Sequence, residues 1–68
     1  MRFAIVIEKA ANNYSAYVPD LPGCVATGET AAIAADQLRD AVRFHIEGLV
    51  ADGIAVPQPI SIAEYVET

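Results

Sequence analysis

Cys24 and His45 are the two side chains in this sequence that could form a nucleophilic pair. Each is the sole residue of its type in the chain. Nucleophilic catalysis by cysteine requires hydrogen-bond contact between the thiol and its base, and nothing in the sequence indicates that contact. The simpler interpretation is a small buried Cys24 and a core His45 bonded to a backbone carbonyl. No Cys/His cluster suggests a metal, so neither a metal nor another cofactor is expected.

Asp20 is a second candidate, because it lies in a stretch that two prolines keep out of helical geometry. Pro19 and Pro22 each fix their own φ and push the preceding residue toward extended backbone. Residues 17–28 are therefore predicted to form a rigid corner with a strand on either side. Within this corner, Asp20 is typical of a turn carboxylate that accepts its neighbours' amides, and contact with a partner protein is the alternative.

Three strand patterns surround the corner. Residues 2–8 alternate, with Phe3, Ile5 and Ile7 on one face, and are predicted as strand one. A hairpin loop over residues 9–13 leads to strand two at residues 14–18. Strand three covers residues 24–27, so the sequence predicts an antiparallel three-stranded meander.

A single long helix is predicted over residues 31–52, with Thr30 as its N-cap and Gly53 as its left-handed end. When successive residues are placed about 100° apart around the helix axis, six residues fall on one predominantly apolar face. Its members are Ala34, Leu38, Ala41, Val42, His45 and Leu49. Pro57 and Pro59 then impose extended backbone, and residues 64–66 are predicted to add a short final strand to the sheet. The predicted fold class is therefore α+β, with the helix packed on one face of the sheet.

The chain of 68 residues is expected to form one domain whose core is limited by its size. Hydrophobic residues make up 54% of the sequence, more than such a core easily hides, so self-association is expected. The candidate interface consists of apolar or small residues outside the predicted core centre: Ala4, Val6, Ile33, Phe44 and Gly48. For Phe44, the alternative is that the ring wraps the edge of the core.

The charge balance bears on possible partners. Nine carboxylates oppose four Lys and Arg residues, for a net charge of −5, and the basic residues form no run. Because phosphate contacts need a basic surface, direct nucleic-acid binding is not expected, whereas a basic protein partner is permitted. The apolar run at residues 3–7 is too short for a signal peptide or a membrane span. With one unpaired cysteine, a cytoplasmic location is expected.

One extended motif resembles the HicB antitoxin family. The resemblance covers nearly the whole chain and combines the proline corner, the start of the helix, the helix faces and the region after the helix. Its residues are Val18, Pro19, Asp20, Leu21, Pro22, Gly23, Cys24, Gly28, Thr30, Ala34, Leu38, Arg39, Ala41, His45, Glu47, Gly48, Leu49, Gly53, Pro57 and Pro59. The resemblance implies a partial ribonuclease H-like fold of order β-β-β-α-β, with the final strand beside strand one.

The resemblance also implies a function. Family members typically bind and block HicA, a small basic toxin that resembles a double-stranded RNA-binding domain and cuts messenger RNA. Many also carry a C-terminal DNA-binding segment, whereas this sequence ends at Thr68, so promoter binding by this chain alone is not expected. Ala32 and Ile33 stand where the family often has Glu, which makes the start of the helix less acidic.

A ribonuclease H-like fold raises the possibility of nuclease activity, which would need several carboxylates converging on two metal ions. The inward side of strand one carries Phe3, Ile5 and Ile7, with no central carboxylate. The chain is therefore not expected to be an enzyme.

Two functions of different class remain. The first is an inhibitor that masks a HicA-like toxin without catalysis, with candidate contacts at Asp20, Leu21, Pro22, Glu29 and Glu64. The alternative is a free-standing homo-oligomeric binding module or subunit with no toxin partner. The sequence leaves open which toxin is bound, and whether the chain forms a homodimer or a homotetramer.

Overall fold

A computed structural model, which describes residues 1–68, contains three strands followed by one helix. The strands are β1 (Val6–Lys9), β2 (Tyr14–Tyr17) and β3 (Val25–Gly28), and the helix is α1 (Ala31–Ala51). The sheet order is β1-β2-β3 and both strand pairs are antiparallel. The predicted α+β meander with one long helix is confirmed.

Backbone hydrogen bonds close the hairpin and stiffen the corner. The Ala10 amide donates to the Asn13 carbonyl at 2.8 Å across the β1–β2 turn. In the corner, the amides of Leu21 and Cys24 donate to the carbonyls of Val18 and Leu21, both at 3.1 Å. Because these groups are paired within the corner itself, the predicted rigid turn holds its shape without help from a strand ladder.

Helix α1 begins and ends with side-chain and backbone caps. The Thr30 hydroxyl accepts a hydrogen bond from the Ile33 amide at 3.1 Å, which confirms the predicted N-cap. At the other end, the Ile54 amide donates to the Leu49 carbonyl at 2.9 Å, and Gly53 has a φ of 70°. This pattern is a Schellman motif, in which a left-handed residue satisfies the last carbonyls of the helix.

The core lies where β2, the corner and α1 meet. One cluster of six buried residues contains Ala16, Val18, Leu21, Cys24, Ala34 and Leu38. The alanines let the helix approach the sheet closely, and Leu21 and Leu38 are the largest side chains that are fully buried. His45 is half-buried outside this cluster, and its side chain takes part in none of the side-chain hydrogen bonds, so the predicted bond to a backbone carbonyl is wrong.

Two predictions about the sheet need correction. Strand β1 begins at Val6 instead of residue 2, and residues 54–68 form neither helix nor strand, so the predicted final strand at residues 64–66 is absent. Residues 2–4 and 61–63 line a common cavity of about 350 Å³, which places the tail near the segment before β1. No backbone hydrogen bond joins the two segments. Without those bonds there is no ladder, and the moderate strand character of residues 60–66 does not produce a strand.

Candidate functional site

Asp20 fastens the C-terminal segment to the corner. One of its carboxylate oxygens, Oδ2, accepts hydrogen bonds from the amides of Ile60 and Ser61, at 3.0 and 2.9 Å. The other, Oδ1, accepts from the Ser61 hydroxyl at 2.8 Å. The prediction that Asp20 caps its sequence neighbours is therefore wrong, because its partners lie 40 and 41 residues away.

The same contacts determine the charge state of Asp20. The hydrogen bond from the Ser61 amide is the largest influence that lowers the pKa of this carboxyl group, followed by the bond from the Ser61 hydroxyl. Partial desolvation opposes the shift, and the Ile60 amide adds to it. Asp20 is therefore a stable anion that holds two successive backbone donors, and it presents little free acceptor capacity to another molecule.

The other predicted partner contacts differ in their exposure to solvent. Leu21 has no exposed surface, so it supports the corner from inside the core, and this burial revises its predicted role as a direct contact. Pro22, Glu29 and Glu64 are all exposed. Of the predicted set, the structure links Asp20 directly to the tail that carries Glu64.

The tail carries large apolar side chains that face solvent. Ile60, Ile62 and Val66 are more than four-fifths exposed, and Tyr65 is 97% exposed. Exposed apolar groups of this size, side by side in one segment, mark interaction surfaces in proteins. Residues 64–66, predicted as a strand, belong to this exposed surface, and their moderate strand character is the signal in the sequence that could indicate it.

The acidic surplus is spread over the exposed surface. Two carboxylates pair with arginines along the helix, Asp36 with Arg39 and Asp40 with Arg43, the latter at 3.7 Å. Both pairs are exposed and contribute little to folding stability. Besides Asp20, six carboxylates form no ion pair: Glu8, Glu29, Glu47, Asp52, Glu64 and Glu67. These unpaired groups carry the negative charge that a basic partner would meet.

The predicted interface residues separate into two groups. Ala4 and Val6 are half-buried, near the start of β1. Ile33, Phe44 and Gly48 lie along one exposed stripe of α1. The Phe44 ring is 79% exposed and does not pack against the core, so the alternative that it wraps the core edge is wrong.

Cys24 and His45 line one shallow cavity, and their arrangement there shows whether they could act as a nucleophilic pair. Both line a space of about 400 Å³ between the corner and α1, together with Phe44. No hydrogen bond joins the two side chains, Cys24 is only 3% exposed, and burial raises the pKa of its thiol. A neutral, covered thiol is a poor nucleophile, so this cavity lacks the arrangement that cysteine catalysis needs.

Two further features concern metals and membranes. No group of three or more His, Cys, Asp or Glu side chains lies close enough to hold a metal ion. Helix α1 lacks the apolar character that a membrane-spanning helix needs.

Comparison with known proteins gives one family match and two relatives. A family model described as the HicB_like antitoxin of a bacterial toxin-antitoxin system matches residues 3–68. A protein of Haemophilus phage HP1, described as an uncharacterized 14.9 kDa protein in the rep-hol intergenic region, is 38% identical over 66 residues. That alignment covers 97% of this chain and 50% of the phage protein, so this chain spans half the length of that relative.

The second relative is similar in size. A UPF0150 protein of Helicobacter pylori strain J99 is 38% identical over 65 residues, which cover 85% of this chain and 90% of that protein. No solved structure gives a significant match. Because the family match begins at Phe3 and continues to Thr68, the chain belongs to the HicB-like antitoxins of bacterial toxin-antitoxin systems.

Proposed function

We propose that this chain inhibits a small basic HicA-like toxin that cleaves messenger RNA, by covering the RNA-binding surface of that toxin. Membership of the antitoxin family implies a toxin partner. The observation that carries the proposal is the exposed tail, which carries both large apolar side chains and carboxylates and which Asp20 fastens to the corner. This tail combines the two surface properties that a basic protein would recognise.

The apolar part of the tail supplies affinity. Full burial of a side chain such as Ile62 or Tyr65 is worth about 1.5 to 3 kcal/mol. Part of that gain is offset by the loss of mobility on binding. Because Asp20 already holds residues 60 and 61 in place, the ordering cost at the start of the tail is reduced.

The acidic part of the surface supplies orientation and speed of encounter. Glu64 and Glu67 on the tail and Glu29 before the helix are exposed and form no ion pair in the chain. A toxin that binds RNA presents Lys and Arg side chains on its RNA-binding surface. Contact between the two surfaces would therefore exclude RNA by occupying the same positive charges.

The inhibition we propose involves no chemistry. The buried thiol of Cys24 forms no hydrogen bond with His45, and Phe3 and Ile5, which pack against the core before β1, are apolar. We further propose that residues 1–68 act as a single unit, in the cytoplasm, where such a toxin would meet its substrate.

Co-expression with the small basic protein encoded beside the gene tests this function. Growth arrest by the neighbour alone, relieved by this chain through a complex that survives affinity purification, is the expected result. Absence of toxicity and of a complex would overturn the proposal and leave the alternative, a free-standing oligomeric module.

A matched pair of variants tests the role of the tail. Ile62→Ser removes an exposed branched side chain from the tail, and we expect it to raise the Kd of the toxin complex about tenfold or more. Val50→Ser removes a comparable exposed side chain from α1 and should change the Kd by less than about twofold. Equal effects of the two substitutions would show that the tail is not the contact.

A further inference from the structure

The exposed stripe of α1 that contains Ile33, Phe44 and Gly48 has two features that nothing within the chain explains. Phe44 is a large apolar side chain that is 79% exposed. One turn later, Gly48 is exposed, and a Cβ atom added there would meet nothing within 4 Å. Glycine in a helix interior costs about 1 kcal/mol relative to alanine, so an open site that keeps glycine lacks an internal packing reason.

We propose that a second copy of this chain packs on this stripe, with the two α1 helices antiparallel about a two-fold axis level with Ile46. Phe44 and Gly48 lie two residues on either side of that level, about 3 Å along the helix axis. The two-fold axis therefore places the Phe44 ring of each copy opposite Gly48 of the other. A projecting ring then faces a position without a side chain, twice in one contact, as a self-complementary interface requires.

Charges beside the stripe specify the antiparallel direction. Arg43 and Glu47 lie on the same flank of α1; Glu47 forms no ion pair in the chain, and Arg43 is paired only with exposed Asp40. In the antiparallel arrangement, Glu47 of one copy lies about two residues, or 3 Å along the axis, from the level of Arg43 of the second copy. Each interface therefore gains two opposite-charge pairs. In a parallel pair the two-fold axis runs along the helices and places the two flanks on opposite sides, so these charges would not meet.

The exposed area of the chain leaves room for this contact in addition to a toxin. A compact monomer of 7.2 kDa is expected to expose about 4100 Å². This chain exposes 5235 Å². A specific dimer of standard size covers about 800 Å² on each partner. The cavity beside Phe44 and Gly48 shares no residue with the cavity that the tail lines, so the dimer does not depend on the proposed antitoxin function.

Analytical ultracentrifugation of the purified full chain tests the interface. We expect a dimer whose dissociation constant rises at least tenfold in Phe44→Ser and in Gly48→Leu. Gly48→Leu distinguishes a glycine that a second copy packs against from a glycine that faces open solvent. In open solvent the leucine would only strengthen the helix and raise the Tm. Ile62→Ser is the control and should leave dimerisation unchanged.

Charge exchange tests the direction of the helices without depending on stability. Arg43→Glu and Glu47→Arg each place like charges across the interface and should weaken the homodimer several-fold. Mixing these two variants restores both pairs, so the mixture should form a heterodimer more tightly than either variant forms a homodimer.

The contradicting outcomes are equally specific. A chain that is monomeric at about 100 μM, a dimer insensitive to Phe44→Ser and Gly48→Leu, or a mixture that associates no better than its components would each overturn the proposal. Dimer loss in Ile62→Ser alone would assign self-association to the tail instead. Growth rescue by this chain is a separate readout, so failure of the dimer and failure of the antitoxin function are distinguishable.

Discussion

Asp20 attaches the C-terminal segment to the rest of the chain. A final strand was predicted to make this attachment, and a single side chain makes it instead. Its two oxygens accept three hydrogen bonds, from the amides of Ile60 and Ser61 and from the Ser61 hydroxyl. An asparagine at this position would keep one acceptor oxygen and turn an amide donor toward groups that are themselves donors. The attachment therefore requires the carboxylate, with both of its oxygens as acceptors.

Asp20→Asn is expected to release the tail while the core remains folded. The amide protons of Ile60 and Ser61 should exchange with solvent faster than in the parent chain, because both lose their acceptor. Binding of the proposed toxin should weaken, since the tail must then be ordered during association. Hydrogen exchange followed by NMR measures the first effect. Asp36→Asn, which changes an exposed helix carboxylate, is the control, and equal exchange rates in the two variants would contradict this role.

The pH dependence of stability should show the same contact. The folded pKa of Asp20 lies below the value of 3.8 for the free side chain, so near that pH the unfolded chain binds more protons than the folded chain. The stabilisation by Asp20 is therefore fully present above the unfolded pKa and is lost as the pH falls through the folded value. Urea titrations from pH 6 to pH 2 measure the free energy of unfolding of the parent chain and of Asp20→Asn. The difference between the two free energies should become smaller at the acid end. A difference independent of pH would contradict the assignment.

At the scale of elements, the two ends of α1 explain why the helix occupies residues 31–51. The Thr30 hydroxyl satisfies the Ile33 amide at the start, and the Schellman motif around Gly53 satisfies the carbonyls at the end. Both signals are local, and both were recognisable in the sequence. The predicted start was confirmed at Ala31, and the predicted end differed by one residue.

Thr30→Ala should destabilise the fold by about 1 kcal/mol, because the Ile33 amide loses its side-chain acceptor. Thr30→Ser keeps the hydroxyl and should retain most of the stability. The free energy of unfolding from urea titration followed by circular dichroism measures both. If the alanine and serine variants are equally stable, the cap makes no contribution.

The junction between β3 and α1 imposes a second local requirement, at Gly28. A Cβ atom on this residue would lie 2.5 Å from the Ala34 amide nitrogen and 2.7 Å from Cγ2 of Ile33. Gly28→Ala therefore forces the helix away from the strand and should lower the free energy of unfolding by about 1 to 3 kcal/mol. Thr27→Ala, an exposed change in the same strand, should alter it by about 0.5 kcal/mol or less. Urea unfolding of both variants decides the point, and a fully stable Gly28→Ala would contradict the close approach.

The whole molecule is more extended than its length requires. Its radius of gyration is 13.0 Å, whereas a compact chain of this length is expected near 11 Å. Large exposed apolar side chains lie at two separate places, the tail and the stripe of α1 that contains Phe44. A small chain with this much uncovered apolar surface is suited to association with other proteins.

The net charge of −5 predicts how a basic partner would associate. Exposed charges are screened over about 8 Å at physiological ionic strength, so added salt shortens the range over which the two proteins attract each other. We expect the association rate with the toxin to fall at least tenfold between 20 and 500 mM salt, with a smaller change in the dissociation rate. Stopped-flow mixing measures both rates. An association rate independent of salt would exclude electrostatic steering.

Features that depend on neighbouring residues were predictable from the residue types alone. Alternating apolar residues predicted the strands, Thr30 and Gly53 predicted the helix ends, and the two prolines predicted the corner. The proline corner and the helix pattern together also indicated the family, which the match over residues 3–68 confirmed. The helix ends and the corner depend on hydrogen bonds between residues only a few positions apart, and the alternation that predicts a strand is likewise a pattern of near neighbours.

Contacts between distant parts of the chain depend instead on how the folded chain packs. Leu21 is buried although it follows Asp20 in an apparently exposed turn, and Phe44 is exposed although the helix carries an adjacent apolar face. The residues predicted as a last strand stay unpaired, and the carboxylate of Asp20 instead receives donors from 40 and 41 residues away. Which backbone donors a carboxylate meets depends on how the whole chain packs, and no local pattern of residue types encodes that choice.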